Sequence, residues 1–335
     1  MANTVFLDHA DALTCYQHWP SPILIISDGP YGLPGYKGEP HRPDGLADWY
    51  GPHIKAWSAS STAQTTLWFW STEIGWAFVH PILHDNGWVY RCACIWDKGL
   101  SHAAGNTNTN TLRKFPVVTE ICVHYVRQVE FQRKPSENQT TQITLQDWLR
   151  SEWQRTGLPW STANIACEVR NAATRKYLSA DHLWYPPPPT VFSKLAAYAN
   201  HYGDPAGRPY FALAGPMSKT DNWSQLRAKF KCPLGITNVW HEPAVHGSER
   251  IKLNGQNAHH NQKPLRLIRL LVESCSDPGD PVWEPFGGLC TTALAASELG
   301  RIAYAAEIDV NTFALAQDRL GKIRCRSALL NQPSR

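Results

Sequence analysis

Trp283 to Asp309 reads WEPFGGLCTTALAASELGRIAYAAEID. Pro281 to Phe286 predicts a short strand that runs into Gly287-Gly288. TTALAASELG predicts a helix beginning at Thr291 and ended by Gly300, and RIAYAAEID predicts a second strand. That strand ends in an acid, Glu307, 20 residues after Gly287, and VNTFALAQDRL follows as another helix. The order of strand, glycine turn, helix start and acid-tipped strand is a Rossmann-like half. The glycines let backbone approach a ligand, the helix start faces it, and the acid suits ribose hydroxyls. A plain structural βαβ turn is the alternative reading. The turn is not Gly-x-Gly-x-x-Gly, which argues against a nicotinamide oxidoreductase. Glu284, just before the glycines, suits a cationic amino group better than a pyrophosphate. S-adenosylmethionine carries both an ammonium and ribose hydroxyls.

A second abrupt ending lies far upstream. Ile23 to Gly32 reads ILIISDGPYG: a continuous apolar run, then Asp28-Gly29-Pro30-Tyr31. The run predicts a buried strand. Further strands are expected in TTLWFWS, in Gly87 to Trp96 and in Phe115 to Val126. A helix opens at Pro264 with Leu265, Ile268, Leu271 and Val272 on one face. The two glycine-bearing strands can be central neighbours despite their separation, with both turns facing one crevice.

The bulk numbers set limits. The chain has 335 residues, 43% hydrophobic and 18% charged, and no apolar run of membrane-spanning length. The N-terminus lacks a basic segment before an apolar one, so a cytoplasmic protein without a signal peptide is expected. Nine scattered cysteines show no zinc spacing, so reduced thiols and no metal are expected. Net charge is +4, but Arg127 to Gly235 holds 14 lysines and arginines against 8 acids, leaving the rest at −2. That excess suits either phosphates or an ordinary solvated face. The same region is Gln-rich, turn-rich and broken by Pro186–Pro189, which reads as a polyproline strut or linker. Glu73, Asp85 and Glu120 are expected at the surface or as local caps.

Taken together the motifs resemble a known family. Asp28-Gly29-Pro30-Tyr31 is similar to the D-P-P-Y motif of the amino-methyltransferases of DNA. His259-His260-Asn261-Gln262-Lys263-Pro264 resembles their H-x-x-Q-K-P segment. Glu284-Pro285-Phe286-Gly287-Gly288-Leu289-Cys290-Thr291-Thr292 resembles the cofactor motif D-P-F-x-G-x-G-T-T. The order, catalytic motif first, is that of the β-class. Three departures stand out: Gly29 for the first proline, Glu284 for aspartate, and Cys290 for a glycine.

The resemblance implies an α/β, Rossmann-like methyltransferase fold with a mostly parallel sheet, flanking helices and an inserted target-recognition subdomain. It implies a catalytic half over 1–127, a recognition region over 128–235 and a cofactor half over 236–335. S-adenosylmethionine would be held by Gln262, Lys263, Glu284, Pro285, Phe286, Gly287, Gly288, Thr291, Thr292 and Glu307. Double-stranded DNA would be the substrate and a homodimer the assembly. Asp28 and the Gly29 carbonyl would accept the two N–H groups of an adenine N6 amine, Pro30 would fix the turn, and Tyr31 would stack on a flipped-out base. Recognition would come from the inserted region and from Asn106, Asn108, Asn110, Arg113 and Lys114, side chains suited to base edges and phosphates. An N4-cytosine enzyme, an RNA or protein-glutamine methyltransferase, and an inactive DNA-binding relative are the alternatives.

Overall fold

In the computed structural model the described residues are 4–33, 38–103, 110–127, 130–136, 139–181, 184–205, 207–212, 220–253, 255–258 and 261–321. The chain forms two compact units, Met1–Arg127 with Ala228–Arg335, and Gln128–Arg227.

The first half of unit one contributes β1 (Val5–His9), α1 (Ala12–Cys15), β2 (Leu24–Ser27), α2 (Leu46–Ser60), β3 (Thr66–Ser71), α3 (Glu73–Asp85), β4 (Trp88–Asp97) and β5 (Thr119–Arg127). The second unit follows with β6 (Glu130–Ser136), β7 (Gln139–Thr144), α4 (Leu145–Arg155), α5 (Thr162–Ala166), α6 (Ala172–Lys176) and α7 (Pro189–Tyr202). The chain then completes unit one with β8 (Val239–His241), β9 (Lys252–Leu253), β10 (Gln256–Asn257), α8 (Leu265–Cys275), β11 (Pro281–Glu284), α9 (Thr291–Glu298), β12 (Ile302–Glu307) and α10 (Val310–Leu320).

Eight of these strands form one sheet in the order β1-β12-β11-β2-β3-β5-β4-β8. Strands β1 to β3 run parallel with β11 and β12, whereas β5 is antiparallel to both β3 and β4. Strand β2 is buried along its whole length, as a central parallel strand covered on both faces must be. Its alternation feeds two cores. Leu24 and Ile26 join Val282, Ala303 and the α8 residues Leu267, Ile268 and Leu271. Ile25 joins Tyr50, Ile54 and Trp57 of α2, Val79 and Leu83 of α3, and Trp283.

Two expectations shift. The strand expected from Phe115 begins at Thr119, because Pro116 has no N–H to give a ladder and Phe115 is exposed. The inserted region, expected to reach Gly235, gives way to unit one at Ala228. There Lys229 Nζ pairs with Asp277 at 2.9 Å and with Asp280 at 2.6 Å, and Lys231 N donates to the Ser274 carbonyl. Among the described residues no helix is long and apolar enough to cross a membrane.

Unit two is built around its own core of Leu149, Trp153, Phe192, Leu195, Phe211 and Trp223. Phe192 and Trp223 stack at 3.9 Å, and Trp223 Nε1 donates to the Pro187 carbonyl. The proline run therefore packs inside this unit rather than serving as a bare linker, and Pro189 opens α7. Glu152 is buried but satisfied by Arg155, Arg208 and the Phe211 N–H. Phe192→Ala is expected to cost about 3–5 kcal/mol in unit two, read as a lowered urea midpoint of its transition.

Candidate active site

The site is assembled at the carboxyl ends of neighbouring parallel strands. Val282 and Trp283 of β11 pair with Leu24 and Ile25 of β2, so the turns after Ser27 and after Glu284 leave the same edge of the sheet. The two turns touch: a Cβ placed on Gly29 would lie 2.7 Å from Phe286 Cδ2. On the other side of β11, β12 brings up Glu307.

Asp28 is held by its own protein at one oxygen. Tyr31 Oη donates to Asp28 Oδ1 at 2.8 Å, and Lys263 Nζ lies 2.7 Å from the same atom. Glu120 of β5 closes the group. Its Oε2 accepts from Tyr31 Oη at 3.1 Å and lies 3.4 Å from Lys263 Nζ, while its Oε1 pairs with Lys98. Lys263 is 3% exposed and sits over the rings of Tyr31 and Trp70. Burial alone would pull its ammonium down, but Asp28 and Glu120 outweigh that and hold it above the usual lysine value. Burial likewise pushes Glu120 up, and the Lys263 and Lys98 ammoniums overcome it, leaving the carboxyl below its usual range. Burial, with the Asp28 and Glu120 carboxylates, pushes the Tyr31 phenol well up, so it stays a donor.

Gly29 is explained by its neighbours. The added Cβ would also meet Tyr50 Oη at 2.6 Å. Tyr50, fully buried in α2, donates to the Pro30 carbonyl at 3.1 Å. Phe286 packs edge-on against Tyr50 and His53, with Trp49 and Trp57 behind it. This aromatic wall fills the space a proline ring would need. His53, bonded through Nδ1 to Tyr16 Oη, is pushed down to about 4 by burial, so the wall carries no charge at neutral pH.

The glycine turn is tied on all sides. Gly287 N donates to the Ala306 carbonyl, and Gly288 N donates to Glu307 Oε2 at 2.7 Å. Glu307 Oε1 accepts from Asp309 N, so the acid bridges the tips of β11 and β12. A Cβ on Gly287 would come within 3.0 Å of the Ala306 carbonyl, which leaves a close backbone cradle. Burial raises Glu307 above the usual carboxyl value. Cys290 sits at φ 54°, ψ 48°, the left-handed region that costs a residue with a Cβ about 1 kcal/mol or more. Cys290 thus keeps the backbone shape that the family's glycine would supply.

Several expected site residues stand elsewhere or do other work. Glu284 does not present its carboxylate to an ammonium: Oε1 and Oε2 accept from Thr292 N and Ala293 N, each at 2.8 Å. It caps α9 from within the core, and burial pushes it up to about 7 despite those bonds. Lys263 is at Asp28. Gln262 accepts from Ile251 N and donates to the Glu249 carbonyl, pinning that segment to the start of α8. Pro285, Thr291 and Thr292 are buried in the turn and first helical residues. Glu73 and Asp85 are exposed, but Glu120, expected at the surface or as a cap, is half-buried in the charge cluster. Asn110, Arg113 and Lys114 are exposed, and Arg113 donates only to the nearby Asn110 and Leu112 carbonyls among the described residues. Asn106, Asn108, His259 and His260 lie outside the described residues.

Sequence reasoning missed Tyr50, Lys98 and Arg319. Arg319 of α10 donates to the Leu289 carbonyl and Thr291 Oγ1, clasping the glycine turn. Glu120 had a signal: an acid bordering an apolar strand goes inside only when paired.

The family model described as DNA methylase matches residues 23–318. Type II methyltransferase M.HinfI of Haemophilus influenzae is 38% identical over 88 residues, 26% of this chain and 24% of that protein. DNA adenine methyltransferase YhdJ of Escherichia coli (strain K12) is 34% identical over 83 residues, 25% of this chain and 27% of that protein. The matched segments thus span about a quarter of these curated relatives. In fold, the chain is similar to PvuII DNA methyltransferase (cytosine-N4-specific), with TM-score 0.53 and 13% identity over 95% of this chain and 86% of that one. It is also similar to TTHA0409 of Thermus thermophilus in complex with S-adenosyl-L-methionine, with TM-score 0.50 and 14% identity over 96% and 98%.

Two outcomes are expected from this geometry. Gly29→Ala is expected to lose about 1–3 kcal/mol, because the added methyl would meet Tyr50 Oη at 2.6 Å and Phe286 Cδ2 at 2.7 Å. Tyr50→Phe in the same chain should recover part of that loss, as read by denaturant unfolding. Glu284, at about 7 when folded against 4.5 ordinarily, contributes stability that is complete below pH 4.5 and fades as pH rises through 7. Glu284→Gln is therefore expected to flatten the fall in unfolding free energy across that window.

Proposed function

This chain belongs to the DNA methylase family, and we propose that it transfers a methyl group from S-adenosylmethionine to the N6 amine of an adenine in double-stranded DNA. The observation that carries the reading is the placement of Asp28 beside the glycine turn, with Oδ1 fixed by Tyr31 and Lys263. The adenine preference rests on the acid at the first motif position.

The residues at the turn fit the cofactor. Gly287 and Gly288 give backbone that can approach it closely, and Glu307 at the tip of β12 suits the ribose hydroxyls once it exchanges its bond to Gly288 N. When bound, S-adenosylmethionine supplies a methyl group on a cationic sulfur. All other work falls to the protein. An exocyclic amine is a weak nucleophile because its lone pair is spread into the ring. Asp28 Oδ2 and the Gly29 carbonyl accept its two N–H groups, draw electron density to nitrogen, and stabilise the positive charge that develops there. Tyr50 keeps the turn rigid through the Pro30 carbonyl, which offsets the freedom of Gly29. Tyr31 orients Asp28 with its hydroxyl. Its ring is 7% exposed, so stacking on a base requires it to leave this pocket. The aromatic wall of Phe286 and Tyr50 excludes water from one side of the amine.

A paired base cannot reach this edge of the sheet, so the target is taken as flipped out of the duplex. Unit two, with 11 lysines and arginines against 8 acids, is assigned to target recognition, and the exposed Asn110, Arg113 and Lys114 to the DNA backbone or base edges. A homodimer is the assembly that the family resemblance favours.

The test is direct. Purified protein is incubated with S-adenosylmethionine and plasmid DNA, and the nucleosides are identified by mass spectrometry. N6-methyladenine is expected. Asp28→Ala should lose on the order of 10²–10³-fold in rate with cofactor affinity retained. N4-methylcytosine in its place would overturn the adenine assignment, and no modified base would overturn the function.

A further inference from the structure

We infer that Glu120 and Lys263 are positioning residues for Asp28: they lock its Oδ1, Lys263 directly and Glu120 through Lys263, a hold that persists when Tyr31 leaves to stack on the base, and so reserve Oδ2 for the target amine. This rests on the methyl-transfer reading above.

The geometry gives each group one task. Among the described residues both partners of the Asp28 carboxylate meet Oδ1. A free carboxylate rotates and presents either oxygen, whereas one pinned at Oδ1 presents Oδ2 in a fixed direction. Glu120 is itself held from behind. Lys98 grips Oε1 and lies over the Trp96 ring at 4.7 Å, so Oε2 is left to Tyr31 and Lys263. Glu120 and Lys98 are each 12% exposed at the side chain, and Lys263 3%.

Charges at that depth persist only as a complete set, since each costs several kcal/mol to bury alone. Two carboxylates and two ammoniums balance. Remove the Glu120 charge and Lys98 loses its partner, Lys263 loses one of its two, and Tyr31 keeps only Asp28. Tyr31 and Lys263 still meet Oδ1, but they are no longer anchored to β5, so the direction in which Asp28 offers Oδ2 is no longer fixed. Misplacement of a reacting contact by as little as about 1 Å is costly to rate. The charged and titratable groups that face Lys263 are Asp28 and Tyr31 from the β2 turn, and Glu120 and Cys122 from β5, with Trp70 of β3 beneath it. Lys98 and His102 lie beyond Glu120.

The experiment compares full-length wild type with Glu120→Gln in single-turnover methylation of plasmid DNA across pH, with S-adenosylmethionine affinity measured by calorimetry. The expected result is a fall of about tenfold in the methylation rate, with cofactor affinity and KM for DNA within about twofold. A second readout separates positioning from mere architecture. With only Asp28 left beside it, Lys263 gives up its proton at lower pH, so the alkaline limb of the rate profile moves down in Glu120→Gln. Lys263→Met should abolish that limb. If Glu120→Gln does not fold, Lys98→Met/Glu120→Gln removes one charge of each sign and is expected to show the same rate loss and the same shift. A wild-type rate with an unmoved alkaline limb in either variant would overturn the inference. A wild-type protein that leaves DNA unmethylated would instead overturn the reading beneath it.

Discussion

The pairing of β11 with β2 is the contact on which the rest depends. Val282 lies against Leu24 and Trp283 against Ile25, although the two strands come from opposite ends of the chain. Parallel neighbours end on the same side. The chain leaves β2 through one turn and, some 260 residues later, leaves β11 through the other. Only this pairing brings Asp28, Gly29 and Tyr31 to the same edge as Phe286 and the glycine turn. A shift of one residue in register would turn Ile25 from the core under α2 to the opposite one and carry the Asp28 turn with it.

On that edge the protein handles buried charge in two different ways. At the β2 turn, carboxylates and ammoniums are matched, and the match holds the Glu120 carboxyl below and the Lys263 ammonium above its usual value. At the β11 and β12 tips, among the described residues, no cation forms an ion pair with either acid, and Arg319 acts on Glu284 only at a distance. Glu284 and Glu307 are answered by backbone N–H groups instead, and burial wins: both lie above the usual carboxyl range. Hydrogen bonds from neutral N–H groups offset less of the desolvation of a carboxylate than a full positive charge does. In one cluster charge answers charge. In the other, backbone N–H groups hold both acids and tie the glycine turn.

The two departures at the turns were each solved by packing. Gly29 stands where a ring would collide with Tyr50 and Phe286, and Tyr50 takes over the stiffening by binding the Pro30 carbonyl. Cys290 stands where glycine would be relaxed, and holds the left-handed backbone under the grip of the bonds from Cys290 N to Gly287 and from Arg319 to Leu289. In both places the lost local preference is replaced by long-range contacts.

The local pieces are legible in the chain alone: the apolar runs of β2 and β11, the helix that opens after Pro264, the glycine turn and the two acids at strand ends. Those follow from periodicity and turn chemistry, which act over a few residues. It also carried the split motif order, and hence the family likeness. Who faces whom was settled by the folded molecule. Lys263 went to Asp28, Glu284 turned inward to cap α9, and Glu120, written like a border residue of an apolar strand, became the hub of the charge cluster. No local rule reaches that far, because the energy of a buried charge is set by partners that sit on other strands and helices, often dozens to hundreds of residues away in the chain, and by the water that those partners displace.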